Sequence, residues 1–253
     1  MIKIIRSPQE LMLWRQSLEH KRLVGFVPTM GALHHGHEVL LEKARCENDV
    51  VVLSVFVNPT QFNDKKDFEK YPITWESDLK IAEKNKVDVI FAPTFDSMYP
   101  DQYKYKIQET DFSLGLCGKD RPGHFDGVLT VVMKLLNLVQ PTSAYFGEKD
   151  FQQLTLIQGM VEAFFLPYEI IPVATVRESD GLALSSRNIR LTAVEREKAP
   201  LIYRTLMTAK SANEARVALE KENWTVDYVK DILGRRFAAV RVGDVRLIDN
   251  VKI

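Results

Sequence analysis

Three of the chain's five histidines and two of its twelve glycines fall in PTMGALHHGH, residues 28–37. A packed core asks for no such density, so the stretch reads as chemistry. Imidazoles donate hydrogen bonds to phosphate oxygens and can take up charge as a transition state turns negative. Gly31 and Gly36 let an anion come close to the backbone. His34 and His37 are three apart, which puts them on one face if a helix starts there. The spacing fits neither GxxxxGK nor GxGxxG, so neither a P-loop nor a dinucleotide fingerprint is present locally. Half a zinc site and a solvated loop are the alternatives, and no Cys, Asp or third His completes the zinc site. His35 reads as a spacer.

Two further stretches carry cations. In FGEKD (146–150), Gly147 permits a bend after a strand and Lys149 is a compact cation on a reaching stem. Beside Glu148 and Asp150, the alternative is a surface ion-pair cluster. In LSSR (184–187), the hydroxyls of Ser185 and Ser186 and the guanidinium of Arg187 can bind polyphosphate oxygens. A Ser-rich linker is the alternative there.

These stretches need a scaffold, and the hydrophobic pattern predicts one. Apolar, β-rich runs at 23–28, 50–58, 87–93, 143–147 and 168–176 alternate with helical patterns at 37–47, 75–85, 127–139 and 151–165. Strands of continuous apolar character separated by helices imply a parallel sheet covered on both faces. The expected fold is α/β, a Rossmann-like doubly wound parallel sheet with a smaller α+β C-terminal domain. The first domain is expected over 1–176 and the second over 177–253. In the second, two helical runs (192–211, 212–222) precede an antiparallel pair, VDYVKDIL and FAAVRVGDVRLIDN. PTMGALHHGH then falls in the loop after the first of these strands, at the carboxyl edge where ligands bind open α/β sheets.

Bulk properties exclude several classes. Thirty-four Lys plus Arg balance thirty-four Asp plus Glu. No basic excess points to nucleic acid or an anionic membrane. Two cysteines, Cys46 and Cys117, make no disulfide framework, which suggests a reducing cytoplasm. MIKIIRSPQE has no signal-peptide h-region, and no apolar run reaches the roughly 20 residues of a membrane span.

PTMGALHHGH resembles the HxGH signature of the nucleotidyltransferase superfamily that includes class I aminoacyl-tRNA synthetases. FVPTMGALHHGH, SVFVNPTQF, RPGHFDGVLTVVMKLLNLVQP, AYFGEKDFQQL, VRESDGLALSSRN and the terminal RLIDN together are similar to the pantothenate synthetase (pantoate–β-alanine ligase) family, over essentially the whole chain and in order. The resemblance implies adenylation of pantoate by ATP with release of pyrophosphate, then attack by β-alanine to give pantothenate and AMP. It places Met30, Gly31, Ala32, Leu33, His34, His35, Gly36 and His37 in the ATP site, with His37 as proton donor. Gly147, Glu148, Lys149 and Asp150 follow, Lys149 on phosphates and Asp150 toward the ribose. Leu184, Ser185, Ser186 and Arg187 correspond to a KMSKS-type loop, and Val176 to a backbone contact with adenine.

Gln61 and Gln153 correspond to pantoate ligands, Gln61 also to a β-alanine contact, with surface amides as the alternative. Asn58 is expected to orient the Gln61 loop. Arg121 and His124 add charge or cap the next helix. Mg2+ is expected with ATP. Asp78 is the one candidate ligand, its alternative an exposed helix carboxylate. A homodimer through the first domain and a closing C-terminal lid are also implied. Ile73 stands where the family usually has Arg, and Cys117 where it usually has Glu. A plain nucleotidyltransferase and a nucleotide-binding module without turnover are the other functional readings.

Overall fold

The computed structural model describes residues 2–19 and 21–253. The chain divides into two compact units: one holds the chain up to Gly147 together with Gln152–Val173, the other Glu148–Phe151 together with Ala174–Ile253. The sequence reading places the break after 176 and does not foresee that 148–151 group with the later residues.

The first unit is built on six parallel strands, β1 (Lys3–Ile5), β2 (Val24–Thr29), β3 (Val50–Val55), β4 (Val89–Phe91), β5 (Ser143–Gly147) and β6 (Glu169–Val173). Their order in the sheet is β1-β4-β3-β2-β5-β6. The chain builds outward from β2 on one side, then crosses back to β5 on the other. The carboxyl ends of β2 and β5 therefore flank the point where strand order reverses, the usual ligand crevice of such sheets. The expected strands are all present: β5 has the expected bounds, β2 is shifted by one residue, and β3, β4 and β6 are shorter at their ends. The short strand β1 and the helix Pro8–Ser17 lie ahead of the first expected element.

Pro28 explains a local detail. Thr142 N donates to Val24 O, whereas Phe56 N donates to Thr29 O. Alternation along the strand thus turns Val24, Phe26 and Pro28 toward β5. Pairing to β5 stops after Phe26, so no ladder bond is lost at Pro28, which has no N–H to give. Beneath the sheet, Val27, Leu33, Leu41, Val51, Leu53, Ile90 and Tyr145 share one core. The helix His124–Val139 is apolar on most faces and correspondingly buried over most of its length.

The second unit has its own core, with Leu182, Ile202, Leu206, Leu219, Val240 and Leu247 among its members. The expected antiparallel pair is a three-stranded meander, β7 (Thr225–Ile232), β8 (Arg235–Val242) and β9 (Val245–Lys252). The run read as one strand turns at Gly243, φ +56°. Between β7 and β8, Leu233 and Gly234 are both left-handed, at +52° and +67°, as a two-residue hairpin of matching twist requires. The run read as one helix over 192–211 is two, Ala193–Lys198 and Leu201–Thr208. They are separated at Pro200, which has no N–H to continue the ladder.

Gly127 fixes how the helix His124–Val139 meets the turn Pro59–Gln61. A Cβ there would lie 2.5 Å from Thr60 O and 2.6 Å from Thr60 C. Both neighbours are backbone, so the helix has to move. Gly127→Ala is expected to destabilise the protein by about 2 kcal/mol, at the middle of the overpacking range, measured by denaturant unfolding. An unchanged midpoint would show that the helix and turn slide freely.

Candidate active site

The loop after β2 carries the histidines, and its backbone is unusual. Gly31 and Ala32 are both left-handed, φ +80° and +50°. Alanine there costs on the order of 1 kcal/mol. A buried carboxylate holds the loop in place. Asp78 Oδ2 accepts from Ala32 N at 3.0 Å and Oδ1 from Leu33 N at 2.8 Å. Thr74 Oγ1 also donates to Oδ1, at 3.0 Å. Thr29 Oγ1 donates to Ser54 O and accepts from Gly31 N, which fixes the loop's first turn.

The loop delivers His34 as N-cap of the helix His35–Glu47, two residues earlier than the expected start at 37. His34 Nδ1 accepts from Gly36 N at 3.1 Å, and His34 N donates to His37 Nδ1 at 3.3 Å. This is a capping box built from two imidazoles. The rings lie 4.1 Å apart at 37°. An Nδ1 that accepts a backbone N–H carries no proton, so the neutral rings hold theirs on Nε2. The result is two Nε2–H donors at a helix N-terminus, where the dipole favours anions. His35 is elsewhere: its Nδ1 pairs with Glu38 Oε2 at 3.1 Å on the exposed face. That fits the reading of His35 as a spacer.

Gln61 is held from three directions. Asn58, fully buried, donates from Nδ2 to Gln61 Oε1 at 3.1 Å and to Gly127 O at 3.2 Å. Its Oδ1 accepts from Thr60 Oγ1 and from Tyr99 OH, both at 3.0 Å. Burial pushes the Tyr99 phenol up to about 12, so it stays a donor. Arg121 Nη2 and His124 Nδ1 donate to the Gln61 carbonyl at 3.1 and 2.8 Å. His124 then carries its proton on Nδ1, and its Nε2 faces Arg121 Nη1 at 3.1 Å. This tautomer is the reverse of His34 and His37. Arg121 and His124 thus grip the Gln61 main chain. The following helix starts from a left-handed Gly123. With its oxygen taken, Gln61 presents Nε2, which reaches Met30 Sδ at 3.2 Å.

Gln153 is half-buried on the helix Phe151–Ala163. Its neighbour Gln152 is the anchor there, accepting from Cys117 N and donating to the carbonyls of Phe112 and Gly115. Cys117 is buried, whereas Ile73 is 85 % exposed.

Within the second unit, Lys149 sits in the turn Glu148–Asp150. Burial holds its ammonium below the usual lysine value. The like charge of Arg187 adds to this, and Asp150 and Asp249 oppose it. Ser185–Arg187 follow a tight hairpin in which Leu184 N donates to Val176 O at 3.0 Å. Val176's carbonyl is thereby used in closing the hairpin. Arg187 N donates to Ser185 Oγ at 3.2 Å, which leaves Ser185's hydroxyl hydrogen to donate elsewhere. Arg177 anchors the hairpin through Asp249, at 2.6 and 2.8 Å, and lies 3.9 Å above the Tyr203 ring.

Asp78 needs a corrected role. It is 2 % exposed, so it is not an exposed helix carboxylate. Both of its oxygens accept backbone N–H groups, so the contacts it makes anchor the loop. Among the described residues, no group of three or more His, Cys, Asp or Glu is arranged to hold a metal. The sequence reading missed its anchoring role, as it missed those of Asp249, Asn250 and Arg235. Asp78→Asn keeps one acceptor and sets its amide donor against one of the two backbone N–H groups, and is expected to cost about 2 kcal/mol in unfolding free energy. Ala32→Gly in that background should return about 1 kcal/mol by relieving the left-handed alanine. Equal stability of Asp78→Asn and the parent would show that the loop needs no anchor.

The family model described as pantoate–β-alanine ligase matches residues 3–252. A pantothenate synthetase of Bdellovibrio bacteriovorus is 61 % identical over 253 residues, all of both chains. That of Coxiella burnetii is 52 % identical, covering 99 % of this chain and 97 % of its own. The crystal structure of a Francisella tularensis pantoate–β-alanine ligase complexed with βγ-ATP and β-alanine aligns with TM-score 0.95 at 42 % identity. It covers 100 % of this chain and 98 % of that one. A Thermus thermophilus pantothenate synthetase aligns at TM-score 0.91 and 41 % identity, covering 99 % of each. With a family match over nearly its whole length and these full-length relatives, the chain belongs to the pantoate–β-alanine ligase family.

Proposed function

We propose that this ligase joins pantoate to β-alanine in two steps driven by ATP, through a pantoyl adenylate. In the first step a pantoate carboxylate oxygen attacks the α-phosphorus, the bond to the bridging oxygen breaks, and pyrophosphate leaves. In the second, the amine nitrogen of β-alanine attacks the acyl carbon, loses a proton and expels AMP. The amide left behind is pantothenate. Magnesium enters as part of the MgATP substrate, and no step is assigned to a protein-held ion.

The observation that carries this reading is the reciprocal cap of His34 and His37. Both rings are oriented Nε2–H donors before substrate arrives. Charge moving onto the bridging and pyrophosphate oxygens then meets donors that need no reorganisation. With Nδ1 engaged by a backbone N–H, His37 serves as a hydrogen-bond donor rather than as an imidazolium acid. Lys149, as its ammonium, and Arg187 supply cations to the triphosphate, with the Ser185 and Ser186 hydroxyls beside them. The Gln61 amide, its oxygen fixed by Asn58, offers Nε2 to pantoate, and Gln153 supplies a second neutral amide. The βγ-ATP and β-alanine named with the Francisella relative support ATP and β-alanine as ligands here.

Pantoate-dependent exchange of pyrophosphate into ATP, without β-alanine, tests the adenylate directly. Exchange that ignores pantoate would overturn it and favour plain nucleotidyl transfer. His37→Ala is expected to lower the exchange rate at least tenfold, about 1.4 kcal/mol in barrier, with a smaller change in ATP affinity. A full-rate variant would contradict the role of that ring.

A further inference from the structure

The terminal RLIDN stretch lies in β9 and has no part in the chemistry above, yet two consecutive residues of it are buried polar side chains. Asp249 is 5 % exposed and Asn250 3 %. Asn250 Nδ2 donates to the carbonyls of both Glu148 and Lys149, at 2.9 and 3.0 Å. Its Oδ1 accepts from Arg235 Nη1 at 2.6 Å, and Arg235 Nη2 reaches Glu148 Oε2, also at 2.6 Å. The Arg235 guanidinium lies 3.9 Å over the Phe151 ring, which packs in turn on Phe237. Phe237 and Asn250 are directly opposite in the β8–β9 register. Every residue of the turn 148–151 except Asp150 is therefore fastened to β8 or β9. Asp249, one step along, holds Arg177 at the base of the hairpin that leads to Ser185–Arg187.

We infer that Asn250, assisted by Arg235, is a positioning residue for Lys149, and that the adjacent Asp249 sets the Arg187-bearing hairpin against the same strand. The proposal rests on the role given to Lys149 above. The like charge of Arg187 bears on the Lys149 ammonium, so the distance between the two cations matters. Neighbouring residues of one strand lie about 3.3 Å apart along it. Anchoring both loops there, through main-chain carbonyls of the Lys149 turn and through Arg177 at the base of the hairpin, holds them at a set spacing. A side chain amide suits the Lys149 turn because its two N–H groups match two adjacent carbonyls and bring no charge near the ammonium.

Asn250→Asp is the sharpest probe, since it keeps an acceptor for Arg235 and replaces the donor with an oxygen facing two carbonyls. Its exchange rate is expected to fall at least about tenfold, given the sensitivity of such steps to small displacements. The KM for pantoate should stay within about twofold, because no pantoate contact is touched. In a Lys149→Ala background the same substitution should add less than about twofold, since a residue acting only through Lys149 has nothing left to position. The basic limb of the pH profile should move up toward the ordinary lysine range as the loosened ammonium regains water. If Asn250→Asp folds poorly, Glu148→Gln weakens the same network from a more exposed point, and the same non-additivity with Lys149→Ala applies. A crippled Lys149→Ala beside an unimpaired Asn250→Asp, or full multiplication of the two losses, would overturn the positioning role alone. A fully active Lys149→Ala would overturn the role of Lys149 and the proposal with it.

Discussion

A single buried carboxylate underlies the histidine loop. Asp78 accepts from the backbone N–H groups of Ala32 and Leu33, and so holds two consecutive left-handed residues, Gly31 and Ala32, at the end of β2. Without that anchor the chain has little reason to turn there, and His34 has no fixed place from which to cap the next helix. The strain is local and the compensation comes from a distant helix, the arrangement expected where geometry matters more than stability.

A similar holding pattern recurs around the candidate site residues, each of which sits beside a polar neighbour that fixes its segment. Asn58, Arg121 and His124 secure Gln61, Gln152 secures the segment beside Gln153, and Asn250 and Arg235 secure the Lys149 turn. His34 and His37 hold themselves in place, each ring accepting a backbone N–H at Nδ1. The contrast with His124, which spends Nδ1–H on a carbonyl, shows that the tautomer is set by what the backbone offers.

The parallel sheet was legible because continuous apolar runs such as VVVLSV can hardly be read otherwise, and the histidine cluster because its density has no structural use. Asp78 was not legible: its backbone partners lie 46 and 45 positions away, and the local Thr74 contact does not by itself separate an anchoring carboxylate from a solvated one. Arg235 and Asn250 were hidden for the same reason, one in a strand of alternating character and the other at its partner's far end. The third strand of the small sheet was recoverable, since a Gly-Asp pair between two β-rich runs is a hairpin signal. The split helix was recoverable too, from the proline at its centre.

The short segment 148–151 groups with residues that follow it by more than twenty positions, so the chain crosses between its two units three times. No single cut parts them. A C-terminal fragment beginning at 174 would lack Phe151 and leave Arg235 with a bare face and no carboxylate partner from Glu148. A swap of that fragment between relatives would pair one parent's lysine turn with the other parent's strand. Recombination is therefore confined to exchanges that carry both pieces, and drift in β9 is tied to drift in a four-residue stretch a hundred positions upstream.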